Sequence, residues 1–265
     1  MSLNGYEIIG KLGEGVNGVV YLAIDVEDHS EVAIKKLPYN EEATNEIEIH
    51  YKMNHLSFIP KLHEFFIAED NDIRGPRFPT MKLVDGEPVY LVMDLIEGES
   101  MYQIIRSDND WSLNWIMMYQ VLLLVQELHQ AGFYHGDLHS NNLIWDTKKM
   151  WLIDFDSAGE LHVTRSTTVL PDNWHETRDY SELTPEEQDI VNLREELLTI
   201  FDSDEIYVLI GDEENEGDID LQRCLELCEF VVSTPCENLD QDGKYVTDSE
   251  YIRRIIEEYH RIDSI

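Results

Sequence analysis

The chain has 265 residues, enough to bury a substantial core as one large domain or as two packed lobes. Hydrophobic residues make up 43% and no low-complexity tract occurs, which excludes a disordered chain despite the charge. Acidic residues number 55 against 19 basic ones, a formal net charge of −36 that repels nucleic acid and anionic membranes and either favours cationic partners or adapts the chain to a salty or crowded medium.

The first elements read as β. Residues 6–9 lead into a glycine cluster, 19–24 form a second β-branched run, 25–30 are turn-like, and 32–35 follow, so an antiparallel meander is predicted. Asn40 is a good N-cap, with Glu41 and Glu42 in the first turn of a helix running to about Met53. Two further strands are predicted at 65–67 and 89–93, separated by a loop over 69–88 that holds Pro76, Pro79 and Gly86. Beyond Glu97-Gly98 the character turns helical. Residues 113–130 form an apolar helix closed by Gly132 at the left-handed position after its end. Thr184-Pro185-Glu186-Glu187 is a capping-box start for a helix with Ile190, Leu193, Leu197 and Leu198 on one stripe. Thr247-Asp248-Ser249-Glu250 repeats the signal before Ile252, Ile255, Ile256 and Tyr259. The expected fold is α+β and bilobal: residues 1–94 as a sheet-rich lobe with one helix, and 95–265 as a mainly helical lobe.

Cys224, Cys228 and Cys236 are odd in number, lack paired CxxC spacing and have no companion histidines, which argues against a disulfide scaffold or a zinc site. The first five residues lack the regions of a signal peptide, and the apolar stretch 115–125 is too short to span a bilayer. The expectation is a reducing cytoplasm.

Four patterns carry chemistry. Gly13, Gly15 and Gly18 form a GxGxxGxV run ahead of a second strand, not a helix, which excludes a dinucleotide-binding turn and leaves a loop whose N–H groups can approach phosphates. Val32-Ala33-Ile34-Lys35 ends on a lysine. Taken alone it is a solvated surface residue; beside a glycine loop it is a cation for ATP phosphates. Glu46 and Glu48 on the following helix are the carboxylates that could hold it. His135-Gly136-Asp137-Leu138-His139-Ser140-Asn141-Asn142 sets an aspartate and an asparagine five apart. Trp151-Leu152-Ile153-Asp154-Phe155-Asp156 reads as an apolar strand ending in carboxylates. Asp137 could orient a hydroxyl while Asn142 and Asp154 hold magnesium through oxygen.

Taken together these patterns resemble the protein kinase superfamily, which combines a GxGxxGxV loop, VAIK, a helix glutamate, HxDxxxxN and DFG in this order. The resemblance covers roughly residues 6–200. It implies that Gly13, Gly15 and Gly18 cover the phosphates of ATP, that Lys35 contacts the α- and β-phosphates, and that Glu46, preferred over Glu48, pairs with Lys35. It implies further that Met93 guards the back of the adenine pocket, that the backbone of Asp94 and Ile96 hydrogen-bonds adenine, that Asp137 is the catalytic base, and that Asn142 and Asp154 bind Mg2+. Because the protein is so acidic, its nucleotide site must supply its own cations.

The departures are informative. HRD is His135-Gly136-Asp137 here, so activity is expected not to depend on phosphorylation of Ser166, Thr167 or Thr168. His139 stands where Ser/Thr kinases usually have lysine, and DFG reads Asp154-Phe155-Asp156. Both are similar to small-molecule kinases such as aminoglycoside and choline phosphotransferases. No clear APE follows, Pro171-Asp172 being at most a degenerate relic. Three readings compete: a Ser/Thr protein kinase, which is preferred; a small-molecule kinase; and a pseudokinase scaffold. The acceptor is expected to be a hydroxyl-bearing protein or small molecule, cationic in character, with no nucleic-acid or membrane partner.

Overall fold

The computed structural model describes residues 2–15, 18–67, 87–107, 110–161, 185–199, 219–233 and 248–264. The expectations placed on Ser166, Thr167, Thr168, Pro171, Asp172, Cys236 and the capping residues Thr184 and Thr247 lie outside these. By its contacts the chain divides into two compact units, Met1–Gly98 with Trp151–Ala158, and Glu99–Met150 with Gly159–Ile265. Its class is α+β.

The first unit holds β1 (Ser2–Leu3), β2 (Tyr6–Glu14), β3 (Val19–Asp25), β4 (Glu31–Pro38), α1 (Glu41–Met53), β5 (Leu62–Ile67) and β6 (Pro88–Asp94). The strands form one antiparallel sheet in the order β1-β2-β3-β4-β6-β5. The predicted meander is β2 to β4. The glycine cluster does not end β2 as expected: the strand continues through Gly10 and Gly13 to pair Glu14 with Val19, with register shifts between Ile8 and Gly10 and between Lys11 and Gly13. Glycine leaves the ladder intact while loosening its register.

Alternation along β4 decides what each face carries. Val32 and Ile34 pack with Tyr6, Ala23, Phe66, Tyr90 and Val92 in one apolar cluster. Leu37 packs with Ala43 and Ile47 of α1 and with Leu62, Phe65, Val89 and Leu91 in another. Lys35 shares the parity of Leu37 and so faces the helix. Along α1 the buried positions are Ala43, Glu46, Ile47, Ile49, His50 and Met53, a stripe of helical period that carries two polar residues inward. Asn40 caps the helix, accepting the Ala43 N–H at 2.7 Å.

The second unit holds β7 (Glu99–Ser100), α2 (Met101–Ser107), α3 (Trp111–Gln130), β8 (Phe133–Tyr134), β9 (Leu143–Trp145), β11 (Gly159–Glu160), α4 (Pro185–Thr199), α5 (Ile219–Ser233) and α6 (Asp248–Asp263). The strand between, β10 (Met150–Leu152), lies where the chain passes from the second unit to the first. Helix α3 begins two residues before its predicted start because Asp110 caps it, accepting the Leu113 N–H at 3.1 Å. It ends as expected: Gly132 has φ +86° and donates its N–H to the His129 carbonyl. Met117, Met118, Val121, Leu122, Leu124, Val125 and Leu128 are all buried, so α3 is apolar nearly all round and forms the centre of this unit. Trp115 stacks on Tyr259 of α6 with ring centroids 3.9 Å apart, and its indole N–H donates to Asp263.

One strand expectation is corrected. The strand preceding Asp154 was expected to run into the carboxylates, but β10 stops at Leu152. Asp154 takes φ +67°, a left-handed conformation that cannot continue a β-ladder.

Candidate active site

Lys35 and Glu46 meet inside the first unit because the β4 alternation and the α1 stripe aim both at the same interface. Lys35 Nζ lies 2.6 Å from Glu46 Oε1 and 2.6 Å from Asp154 Oδ1. The lysine is 7% exposed and the glutamate 2%, whereas the Asp154 side chain is 41% exposed. Burial opposes the lysine's charge, but the Glu46 and Asp154 carboxylates outweigh it and hold the Lys35 pKa above its ordinary value. Burial pushes the Glu46 carboxyl up, with Lys35 opposing. Glu48 lies on the outer face of α1 and pairs with Lys52 instead, at 2.8 Å.

The same helix holds the Asp154 segment at two more points that the sequence reading did not single out. Asn45 donates its amide to the Ala158 carbonyl at 2.9 Å. His50, one turn beyond Glu46, packs its ring on Phe155 at 4.7 Å and contacts the Pro60 carbonyl at 2.6 Å through Nε2. A carbonyl only accepts, so Nε2 carries the proton and Nδ1 is bare; Nδ1 is buried with no hydrogen-bond partner among the described residues. Burial lowers the His50 pKa to about 4. With the Leu152 N–H on the Phe58 carbonyl at 3.0 Å, these contacts make 151–158 part of the first unit. The available signal was the α1 stripe itself, on which Glu46 and His50 occupy apolar positions.

Gly15 donates its N–H to the Gly18 carbonyl at 2.9 Å, closing the turn between β2 and β3. A Cβ on Gly18 would lie 2.4 Å from the Lys36 carbonyl oxygen, whereas Gly13 and Gly15 have nothing within 4 Å of that position. Gly18 therefore serves a close backbone approach, and Gly13 and Gly15 border open space. At the end of β6, Met93, Asp94 and Ile96 are half-buried. Asp94 donates its N–H to the Lys61 carbonyl at 3.0 Å and accepts from Lys61 N–H and His63 Nε2 through its carboxylate, at 3.0 and 2.7 Å. Its N–H is thus committed within the sheet edge, and any bond it offers a base runs through its carbonyl.

Asp137 and Asn142 belong to the second unit. Their loop is anchored by a residue that the sequence reading missed, Asp189 of α4, which is fully buried. Asp189 accepts the His135 and Gly136 N–H groups at 2.7 Å each and His129 Nε2 at 3.1 Å. Gly136 has φ +78°, which lets the loop turn over that carboxylate. In sequence Asp189 is one acidic residue in an acidic chain; only an aspartate facing a row of loop N–H groups reveals its use. Asn142 Nδ2 donates to the Asp137 carbonyl at 3.0 Å, and His139 Nε2 lies 3.4 Å from Asp137 Oδ2. The site residues thus form two sets, Lys35, Glu46 and Asp154 within one unit and Asp137, His139 and Asn142 within the other.

The family description "Protein kinase domain" matches residues 6–186. Among curated proteins, the stress-activated protein kinase jnk-1 of Caenorhabditis elegans is 30% identical over 149 residues, 54% of this chain and 29% of the relative. The stress-activated protein kinase JNK of Drosophila melanogaster is 29% identical over 177 residues, 64% of this chain and 43% of the relative. The mitogen-activated protein kinase 5 of Arabidopsis thaliana is 32% identical over 156 residues, 57% of this chain and 39% of the relative. The chain spans less than half the length of these relatives. The family match covers more than half of the chain, and the chain belongs to the protein kinase superfamily.

Proposed function

We propose that the protein transfers the γ-phosphate of ATP, with magnesium, to a serine or threonine hydroxyl of a protein acceptor. The observation that carries this reading is the buried Lys35 ammonium bonded at once to Glu46 and to the left-handed Asp154. A lysine taken so far out of water, beside an aspartate held in a conformation costing about 1–3 kcal/mol, is an arrangement with a use beyond stability. Lys35 is a fixed cation for the α- and β-phosphates, and Glu46 keeps it from turning to solvent. Gly13, Gly15 and Gly18 let backbone N–H groups approach the phosphates. Met93, Asp94 and Ile96 border the adenine. Each of the two residues offers the oxygen chemistry a hard cation takes: Asp154 in its unit has a partly exposed carboxylate, and Asn142 in the other, whose Nδ2 is held by the Asp137 carbonyl, has an amide oxygen. Magnesium, when bound, neutralises phosphate charge that this acidic chain would otherwise repel. Asp137 aligns the acceptor hydroxyl and takes its proton.

The acidic surface suits a cationic acceptor, and the protein is read as cytoplasmic; among the described residues no helix is long and apolar enough to cross a membrane. The second reading, transfer to a small hydroxyl compound, is favoured by one observation: His139 rather than lysine lies against Asp137. Incubation with labelled ATP, magnesium and either a histone mixture or a panel of aminoglycosides and aminoalcohols separates the two by where the label appears. Asp137→Asn and Asp154→Asn are expected to lower kcat by about 10²–10⁴-fold with the melting temperature kept. Wild-type turnover in either variant would remove the assigned roles.

A further inference from the structure

Strand β5 carries one residue too many for its partner. Leu62 pairs with Met93 and Glu64 with Val92, so two steps along β5 match one step along β6, and His63 is the extra residue of a bulge. The bulge exchanges the faces of the strand. Leu62 packs in the cluster against α1, whereas Glu64, two residues on, accepts the Tyr6 hydroxyl at 2.7 Å beside the opposite cluster. In an unbroken strand those two side chains would share a face. His63, spent on that exchange, reaches across to the end of β6, where its Nε2 donates to Asp94 Oδ1 at 2.7 Å. A carboxylate only accepts, so Nε2 is the donor. The place from which His63 reaches is itself fixed. Asn54, the residue that ends α1, brackets Leu62 with its amide, donating to the Leu62 carbonyl at 2.9 Å and accepting the Leu62 N–H at 2.8 Å. Lys61 gives its carbonyl to the Asp94 N–H and its own N–H to Asp94 Oδ2, at 3.0 Å each.

With its N–H and both carboxylate oxygens bound, Asp94 has one further polar group, its carbonyl. We propose that His63 is a positioning residue for adenine: by holding Asp94 Oδ1 it fixes the end of β6 so that the Asp94 carbonyl meets the 6-amino group of the base. This rests on Asp94 bordering the adenine. The two bonds to Lys61 leave Asp94 free to pivot about that single neighbour, and a third, from a different residue of β5, removes the pivot. The effect of His63 is on the base, whereas Lys35 and the glycine run act on the phosphates.

The test uses the full chain with magnesium and two nucleotides, ATP and purine riboside triphosphate, which lacks the 6-amino group, with dissociation constants read by titration calorimetry. The wild type is expected to bind ATP the more tightly. His63→Ala is expected to weaken ATP binding about fivefold, the order of one hydrogen bond, and to leave the purine analogue unchanged. His63→Gln, which keeps a side-chain N–H donor, is expected to recover most of the loss. In an Asp94→Ala background, His63→Ala is expected to add nothing. The His63 side chain is 47% exposed, so its removal opens no cavity and an unchanged melting temperature serves as the control. Four outcomes overturn the proposal while leaving the adenine reading intact: an unchanged ATP affinity in His63→Ala, an equal loss for both nucleotides, a glutamine variant no better than alanine, or a full effect in the Asp94→Ala background. A wild type that binds both nucleotides alike removes the reading of Asp94 as a neighbour of adenine, and the proposal with it.

Discussion

His50 and Glu46 lie one turn apart on the same face of α1 and both are buried, yet only Glu46 has a charged partner. That difference gives His50 a measurable signature. The unfolded chain binds a proton on this ring near pH 6.5, and the folded protein only near pH 4, so unfolding takes up a proton between those values. Its contribution to stability is complete above pH 6.5 and is lost as pH falls towards 4. At about 1.4 kcal/mol per pKa unit, the loss between pH 7 and 4.5 is roughly 2–3 kcal/mol. Urea denaturation across that range is expected to show the wild type losing this much more than His50→Leu; parallel curves would mean the ring does not change protonation on unfolding. Residue choice was partly legible beforehand. Glu46 is preferred over Glu48 on the family resemblance alone, and the buried Ala43, Ile47 stripe agrees with it, because a side chain three residues from Ala43 points to the same face. The role of Asp189 was not, since nothing local tells one carboxylate of this chain from the others.

At the scale of elements, the glycine run shows how one pattern can serve two purposes. Gly18 sits where β3 crosses the Lys36 carbonyl, and a Cβ there meets backbone that cannot move aside. Gly13 has open space around it. Gly18→Ala is therefore expected to lower stability by about 1–3 kcal/mol, while Gly13→Ala melts close to the wild type whatever it does to nucleotide binding. Equal thermal shifts in the two variants would contradict the close approach. Long periodic elements such as α1 and α3 were readable in advance, because their apolar stripes and caps are encoded within the element. Helix α5 was not recognised, although Cys224, Leu227, Cys228 and Val231 keep a helical stripe within it. Its acidic flanks masked that stripe. The early end of β10 was also unreadable: apolar residues continue to Ile153, and the left-handed turn at Asp154 occurs where that residue bonds Lys35 and Phe155 packs on His50.

At the scale of the whole molecule the net charge of −36 acts over distances that no single contact covers. It opposes the approach of nucleotide and favours a cationic acceptor, and salt weakens both effects as the Debye length falls from about 30 Å at 10 mM to about 8 Å at 150 mM. Stopped-flow binding of a fluorescent ATP analogue is expected to speed up over that range, whereas kcat/KM for a basic acceptor falls. A nucleotide association rate that drops with added salt would show that local cations dominate the field.

What the sequence determined by itself is the set of chemical groups and their local frames: glycines between strands, a lysine ending a β run, two candidate glutamates on a capped helix, and an aspartate–asparagine pair in a polar loop. These are legible because strand and helix periods are local properties of the backbone. What only the tertiary structure decided is which groups share a proton or a charge. Lys35 meets Asp154 across 119 residues of chain and Asp189 meets the His135 loop across 54, and such pairings depend on packing that no local period encodes.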